Sequence, residues 1–158
     1  MTINILGISC YYHDSSAALI INGEIMSAVQ EERFSRIKND SSFPTNSINF
    51  ILKKNNLRLN EITHIVFYEK PFLKFTRLLE TYLSNAPLGF TSFKKAVPIW
   101  IKEKLFQKRE IQLEFKKLDK NFEGKILFSE HHLSHAASAF YPSPFEEAII
   151  LTFDAVGE

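Results

Sequence analysis

Asn22-Gly23 constrains this chain more than any other pair of residues. It stands between two apolar runs and readily supplies the two positive φ angles of a type I′ turn. The twist of that turn suits antiparallel strands, so residues 17–21 and 24–29 are expected to pair as a hairpin. Residues 3–10 are apolar and end in small side chains, which adds another opening strand. After a charged run over 31–40, Pro44-Thr45-Asn46 offers helix-start chemistry ahead of Ile48, Ile51 and Leu52 at helical spacing, predicting a helix that ends near Asn55. Residues 63–68 are β-branched and aromatic and read as a fourth strand buried on both faces.

From residue 70 to 120 the character turns helical and basic. Phe72, Phe75, Leu78, Leu79 and Tyr82 form one apolar stripe and Pro87-Leu88-Gly89 interrupts it, so two or three helices are expected. A short strand at 125–128, a helix at 131–140 and another buried strand at 148–153 follow. Asp154-Ala155-Val156-Gly157-Glu158 then falls where an α/β fold usually places a ligand-binding turn. This order resembles the ribonuclease-H-like unit of the actin, Hsp70 and sugar-kinase superfamily. The resemblance implies an α/β fold, a mixed sheet with helices, with 70–122 as a helical insertion. Such domains come as duplicated halves that close over a phosphate or nucleotide, and 158 residues hold little more than one half.

Composition narrows the class. A hydrophobic fraction of 45% with 23% charged residues is that of an ordinary globular protein, and no stretch approaches the roughly 18 apolar residues that a spanning helix needs. A net charge of +1 argues against a dedicated polyanion binder, and the apolar residues interspersed through the basic segment 94–120 suit a core or a partner better than nucleic acid. Cys10 is the only cysteine, which excludes an internal disulfide, and the first residues lack a secretory pattern. A cytoplasmic location, with no membrane partner, is the expectation.

His131 and His135 stand four apart in His-His-Leu-Ser-His, so on a helix both imidazoles project from one face and can share a metal. Asp154, a carboxylate at the end of an expected strand, is a candidate third ligand. Two nitrogens and one oxygen leave positions open for water or substrate, as catalytic metal centres require. The competing reading is a pair of histidines that merely decorates a helix; the small residues Ala136, Ala137, Ser138 and Ala139 weigh against it, because they let the helix approach another backbone closely.

Tyr12-His13-Asp14-Ser15-Ser16 lies in the turn between the first two expected strands. His13 is a candidate general base there, and an Asp-Ser hairpin turn is the plainer alternative. The run Gln30-Glu31-Glu32-Arg33-Phe34-Ser35-Arg36-Ile37-Lys38 is either a solvated face or a set of cations for an anionic substrate.

Gly7-Ile8-Ser9 through Ala18, the run from Gln30 to Arg36, Phe43-Pro44, the block from His131 to Phe140, and Asp154 to Glu158 together resemble the N-terminal part of the O-carbamoyltransferases of nodulation-factor and antibiotic biosynthesis. The resemblance implies an actin-like domain related to the tRNA threonylcarbamoyl-transferring protein, followed in the family by a domain that makes carbamoyl adenylate from carbamoyl phosphate and ATP. It further implies that His131, His135 and Asp154 hold an iron-type divalent metal. His13, with Asp14 beside it, would be the base near the acceptor, and Lys38, with Arg36 nearby, would touch substrate. Two positions depart from the family pattern: Asn39 where a histidine is usual, and Ala155 where glycine is usual and lets backbone approach phosphate. The second actin-like half and the adenylate-forming domain lie outside these 158 residues, so this portion is expected to need a separately supplied complement, or to be an inactive remnant. A nucleotide- or metal-binding interaction module is the alternative from another class. A sugar-kinase relative is a third, although kinases need neither His131 nor His135 and normally carry a second glycine-rich phosphate loop.

Overall fold

Asn22 (φ 51°) and Gly23 (φ 91°) both adopt positive φ, and the hairpin they close is the start of a five-stranded mixed sheet. The computed structural model describes residues 2–100 and 106–153. The chain divides into two units, Met1–Tyr68 with Ile111–Ser129, and Glu69–Glu110 with Glu130–Glu158.

The first unit holds the sheet. β1 (Asn4–Ser9), β2 (Ser16–Ile21) and β3 (Glu24–Gln30) pair antiparallel, with Gly7 opposite Ala18 and Ala18 opposite Ala28. β4 (His64–Phe67) joins the other side of β1 in parallel, and β5 (Lys125–Phe128) joins β4 in parallel, giving the order β3-β2-β1-β4-β5. The pleat sends alternate residues to opposite faces. On one face Leu6, Ile8, Ala17, Leu19, Ile65, Phe67 and Ile126 are buried. Residues 63–68 were expected to be buried on both faces; instead Ile65 and Phe67 are fully covered while His64 and Val66 are half-buried.

Two helices of this unit contribute to the core on that face. The charged run contains a four-residue helix, α1 (Glu32–Ser35), that no periodicity announces. The helix expected after Pro44 is α2 (Thr45–Lys54), which contributes Ile48, Ile51 and Leu52 to the core. Between residues 70 and 120 lie α3 (Pro71–Ser84), α4 (Phe90–Trp100) and α5 (Gln107–Leu118), with Pro87-Leu88-Gly89 falling in the break as expected and Gly89 at φ 81°. In the second unit Tyr82 of α3 packs edge-on against Phe93 of α4, ring centroids 4.8 Å apart. α5 sends Ile111 and Phe115 into the core beneath the sheet, where Phe115 stands edge-on to Phe43 at 5.2 Å and stacks on Phe122 at 4.8 Å. α6 (His131–Phe140) forms where a helix was expected.

Residues 148–153 are a correction. They carry β-branched and apolar side chains yet form no strand, and Ile149, Leu151 and Phe153 are 95%, 76% and 86% exposed. A lone strand leaves its N–H and C=O groups without ladder partners, and among the described residues no strand pairs with this segment.

Phe115 is fully buried between two aromatic rings, so Phe115→Ala should cost about 3–5 kcal/mol. Urea unfolding monitored by far-UV circular dichroism measures this, and a loss under about 1 kcal/mol would show that α5 is not part of the sheet's core.

Candidate functional site

Two loops of the first unit lie side by side at the ends of β1 and α1. The β1–β2 connection turns through Tyr11 (φ 72°) and Asp14 (φ 51°), and the segment leaving α1 turns through Arg36 (φ 60°) and Asn39 (φ 55°). Asp and Asn tolerate the left-handed region, whereas Tyr11 and Arg36 hold it at a cost of about 1–3 kcal/mol each. Two backbone bonds clasp the loops together: Tyr11 N donates to Ser41 O at 2.8 Å and Ser15 N donates to Asp40 O at 2.7 Å.

On the first loop His13 Nδ1 lies 2.7 Å from Asp14 Oδ2. A carboxylate only accepts, so Nδ1 is the ring nitrogen that donates to it, and Nε2 faces away from that bond. On the second loop Arg36 and Lys38 are exposed, with Arg36 N closing α1 on Glu32 O at 2.9 Å. Expected site residues His13, Asp14, Arg36 and Lys38 therefore share one pair of clasped loops. Asn39 supplies a left-handed turn that suits asparagine. Asp40 closes the second loop. Hydrogen bonds from the Ser35 hydroxyl first, then from the Ser42 hydroxyl and the Ser42 N–H (2.9 Å), hold its carboxyl below the ordinary 3.8.

A residue that sequence reasoning passed over sits behind this pair. Glu31, within the charged run, is only 2% exposed. Its carboxylate accepts four hydrogen bonds at the N-terminus of α2: from Asn46 N (3.0 Å), Asn46 Nδ2 (2.7 Å), Ser47 N (2.8 Å) and Ser47 Oγ (2.6 Å). The residue at the N-cap position of α2 is Pro44, which has no side chain able to cap. Glu31 takes that place from across the fold, and no local sequence signal marks it.

The second unit carries the histidine pair. His131 and His135 lie one turn apart on α6, their Nε2 atoms 3.1 Å from each other and their rings edge-on at 86°. His131 is half-buried with its Nδ1 inside, whereas His135 is exposed. In the same unit the Glu130 carboxylate receives the Lys70 ammonium at 2.9 Å. Two imidazole nitrogens 3.1 Å apart fit a shared ion held at roughly 2.0–2.1 Å from each. Among the described residues no group of three His, Cys, Asp or Glu gathers at such a spacing. Asp154, the expected third ligand, and Ala155 lie outside the described residues.

The profile of the family described as Carbamoyltransferase N-terminus matches residues 4–158. An uncharacterised protein of Synechocystis sp. is 54% identical over 159 residues, covering 98% of this chain and 26% of its own length. Nodulation protein NolNO of Sinorhizobium fredii is 32% identical over 149 residues, 94% of this chain and 20% of its own length. An uncharacterised protein of Methanocaldococcus jannaschii is 29% identical over 154 residues, 98% of this chain and 22% of its own length. The chain thus spans between a fifth and about a quarter of these relatives.

The Asp40 bonds give the clasped loops a pH signature. A carboxyl whose native pKa lies below 3.8 stabilises the fold at higher pH and loses that contribution as pH falls through the native value. The melting-temperature gap between the wild type and Asp40→Asn should hold steady from neutral pH to about pH 4 and shrink below it. A gap independent of pH would overturn the assignment.

Proposed function

The chain belongs to the carbamoyltransferase N-terminus family, and from that membership we propose that it is the acceptor-handling portion of an enzyme that moves a carbamoyl group onto a hydroxyl. In this reading the donor is carbamoyl phosphate, converted with ATP to carbamoyl adenylate, and the acceptor is a sugar or natural product. The single observation that carries the reading, beside the family match, is the His13–Asp14 pair at 2.7 Å on a strained loop clasped to the loop of Arg36 and Lys38.

Each residue then has a task. His13 Nε2 takes the proton of the acceptor hydroxyl as its oxygen attacks the carbamoyl carbon. Asp14 holds the ring in the required tautomer and stabilises the imidazolium that forms. Lys38 and Arg36 hold the anionic leaving portion, the one as a point charge and the other as a planar fork. His131 and His135, with Asp154, are the residues that would hold a divalent metal, iron in the first instance. When bound, such an ion supplies Lewis acidity toward a phosphoryl oxygen.

The sheet order β3-β2-β1-β4-β5, antiparallel on one side of β1 and parallel on the other, supports the finer reading of a ribonuclease-H-like domain of the actin superfamily. The further length of the relatives supports a second actin-like half and an adenylate-forming domain as the complement, either continuous with these residues or encoded separately. No described helix is long and apolar enough to cross a membrane, and action in the cytoplasm on small molecules is part of the same proposal.

The test joins this chain to the complementary residues of the Synechocystis relative and follows labelled carbamoyl phosphate. ATP-dependent transfer to a hydroxyl acceptor is expected, and His13→Ala should lower kcat by about 10²–10⁴. No ATP-dependent consumption of carbamoyl phosphate would defeat the reading. A second outcome needs no activity: equilibrium dialysis of the chain with Fe²⁺, Zn²⁺ or Mn²⁺ should show about one ion bound, lost in His131→Ala and in His135→Ala. Equal uptake by wild type and variants would remove the metal from the proposal.

A further inference from the structure

Ser15 is the joint of the candidate site. It directly follows Asp14, is fully buried, and uses both of its backbone polar groups on other segments: its N–H on Asp40 O at 2.7 Å, and its C=O as acceptor from Glu31 N at 2.8 Å. Its hydroxyl is buried and, among the described residues, makes no hydrogen bond, so the bonds that tie it to other segments are those of its backbone. Glu31 stands at the other end of that connection. Its C=O accepts from Phe34 N (2.9 Å) and Ser35 N (3.0 Å), starting α1, whose end carries Arg36 and leads to Lys38. Its carboxylate is bonded four times to the first turn of α2, a helix packed into the core through Ile48 and Ile51.

We infer that Glu31 is the positioning residue of this site, fixing the His13–Asp14 loop and the Arg36–Lys38 loop to the rigid end of α2 through one buried carboxylate. A helix start is usually capped by its own Ser, Thr, Asp or Asn, and this serves the helix alone. Here the cap arrives from fifteen and sixteen residues away, so the same bonds that end the helix also hold the loops. Burial of a carboxylate among apolar residues is tolerable only with such a full set of donors, so loosening any of them releases the strand end as well as the helix. Glu31 touches neither His13 nor Lys38 and acts on them through Ser15 and α1.

The inference rests on the proposed function for its consequence in catalysis, yet its physical content is measurable in the free chain. The ring ¹⁵N shifts of His13, recorded at alkaline pH, report the balance between its Nδ1–H and Nε2–H tautomers, which the bond to Asp14 biases toward Nδ1–H. Glu31→Gln puts an amide N–H where Asn46 and Ser47 already donate. It is expected to lower the Nδ1–H to Nε2–H ratio of His13 about threefold, and to weaken binding of AMP, the leaving portion of carbamoyl adenylate, about tenfold. Ser47→Ala removes only the 2.6 Å hydroxyl donor, and should move both readouts in the same direction by less, which keeps the inference testable if the glutamine variant does not fold. Ile51→Val, a core change in the same helix, is the stability control and should move neither.

An unchanged tautomer in Glu31→Gln or, should that variant not fold, in Ser47→Ala, or an Ile51→Val variant that shifts the ratio as much, overturns the positioning role. If the wild type binds no AMP while Glu31→Gln still redistributes the His13 tautomer, the proposed function fails and the role of Glu31 stands.

Discussion

A carboxylate removed from water is stable only where donors replace its hydration, and Glu31 meets that condition with two backbone N–H groups, one amide and one hydroxyl, all from the first turn of α2. The helix dipole favours the same arrangement, since its N-terminus carries partial positive charge. Because the backbone of Glu31 also bonds Ser15 and opens α1, three separate segments meet at this one residue. The sheet, the covering helix and both site loops meet there.

The sheet beneath is built from simpler instructions. Alternation places Leu6, Ile8, Ala17, Leu19, Ile65, Phe67 and Ile126 on one face, and the Asn22-Gly23 turn fixes the hairpin register that makes the alternation consistent. These are local rules, which is why β1 through β5, α2 and α6 were all legible from sequence within a residue or two. The break between α3 and α4 was legible for the same reason, since it coincides with Pro87 and Gly89. Residues 148–153 broke the rule from the other direction. Their composition is that of a strand, but a strand is completed by a neighbour, and composition does not supply one.

What the sequence hid is non-local. Glu31 reads as one more charge in a solvated run, because its donors lie fifteen and sixteen residues further on and only the fold brings them near. The left-handed turns at Tyr11 and Arg36 were equally hidden: neither residue type favours positive φ, Tyr11 is held by its N–H on Ser41 O in the other loop, and Arg36 ends α1 with its N–H on Glu32 O. Strain of this kind persists only where surrounding structure over-determines it, and here it is concentrated in the two loops that carry His13, Asp14, Arg36 and Lys38.

The two histidine arrangements in the chain therefore depend on different things. His131 and His135 meet because any helix brings positions four apart onto one face, so their 3.1 Å approach needs nothing beyond α6 itself. His13 and Asp14 are neighbours in sequence, and adjacent side chains ordinarily diverge. Their 2.7 Å contact occurs where Asp14 takes a left-handed turn and the next residue, Ser15, is bonded to Asp40 and Glu31. The metal-ligand candidates are thus written into local sequence, whereas the candidate base is a product of the whole first unit. A chain that kept every one of these residues but lost the buried carboxylate behind them would keep the histidine pair and hold the dyad less firmly.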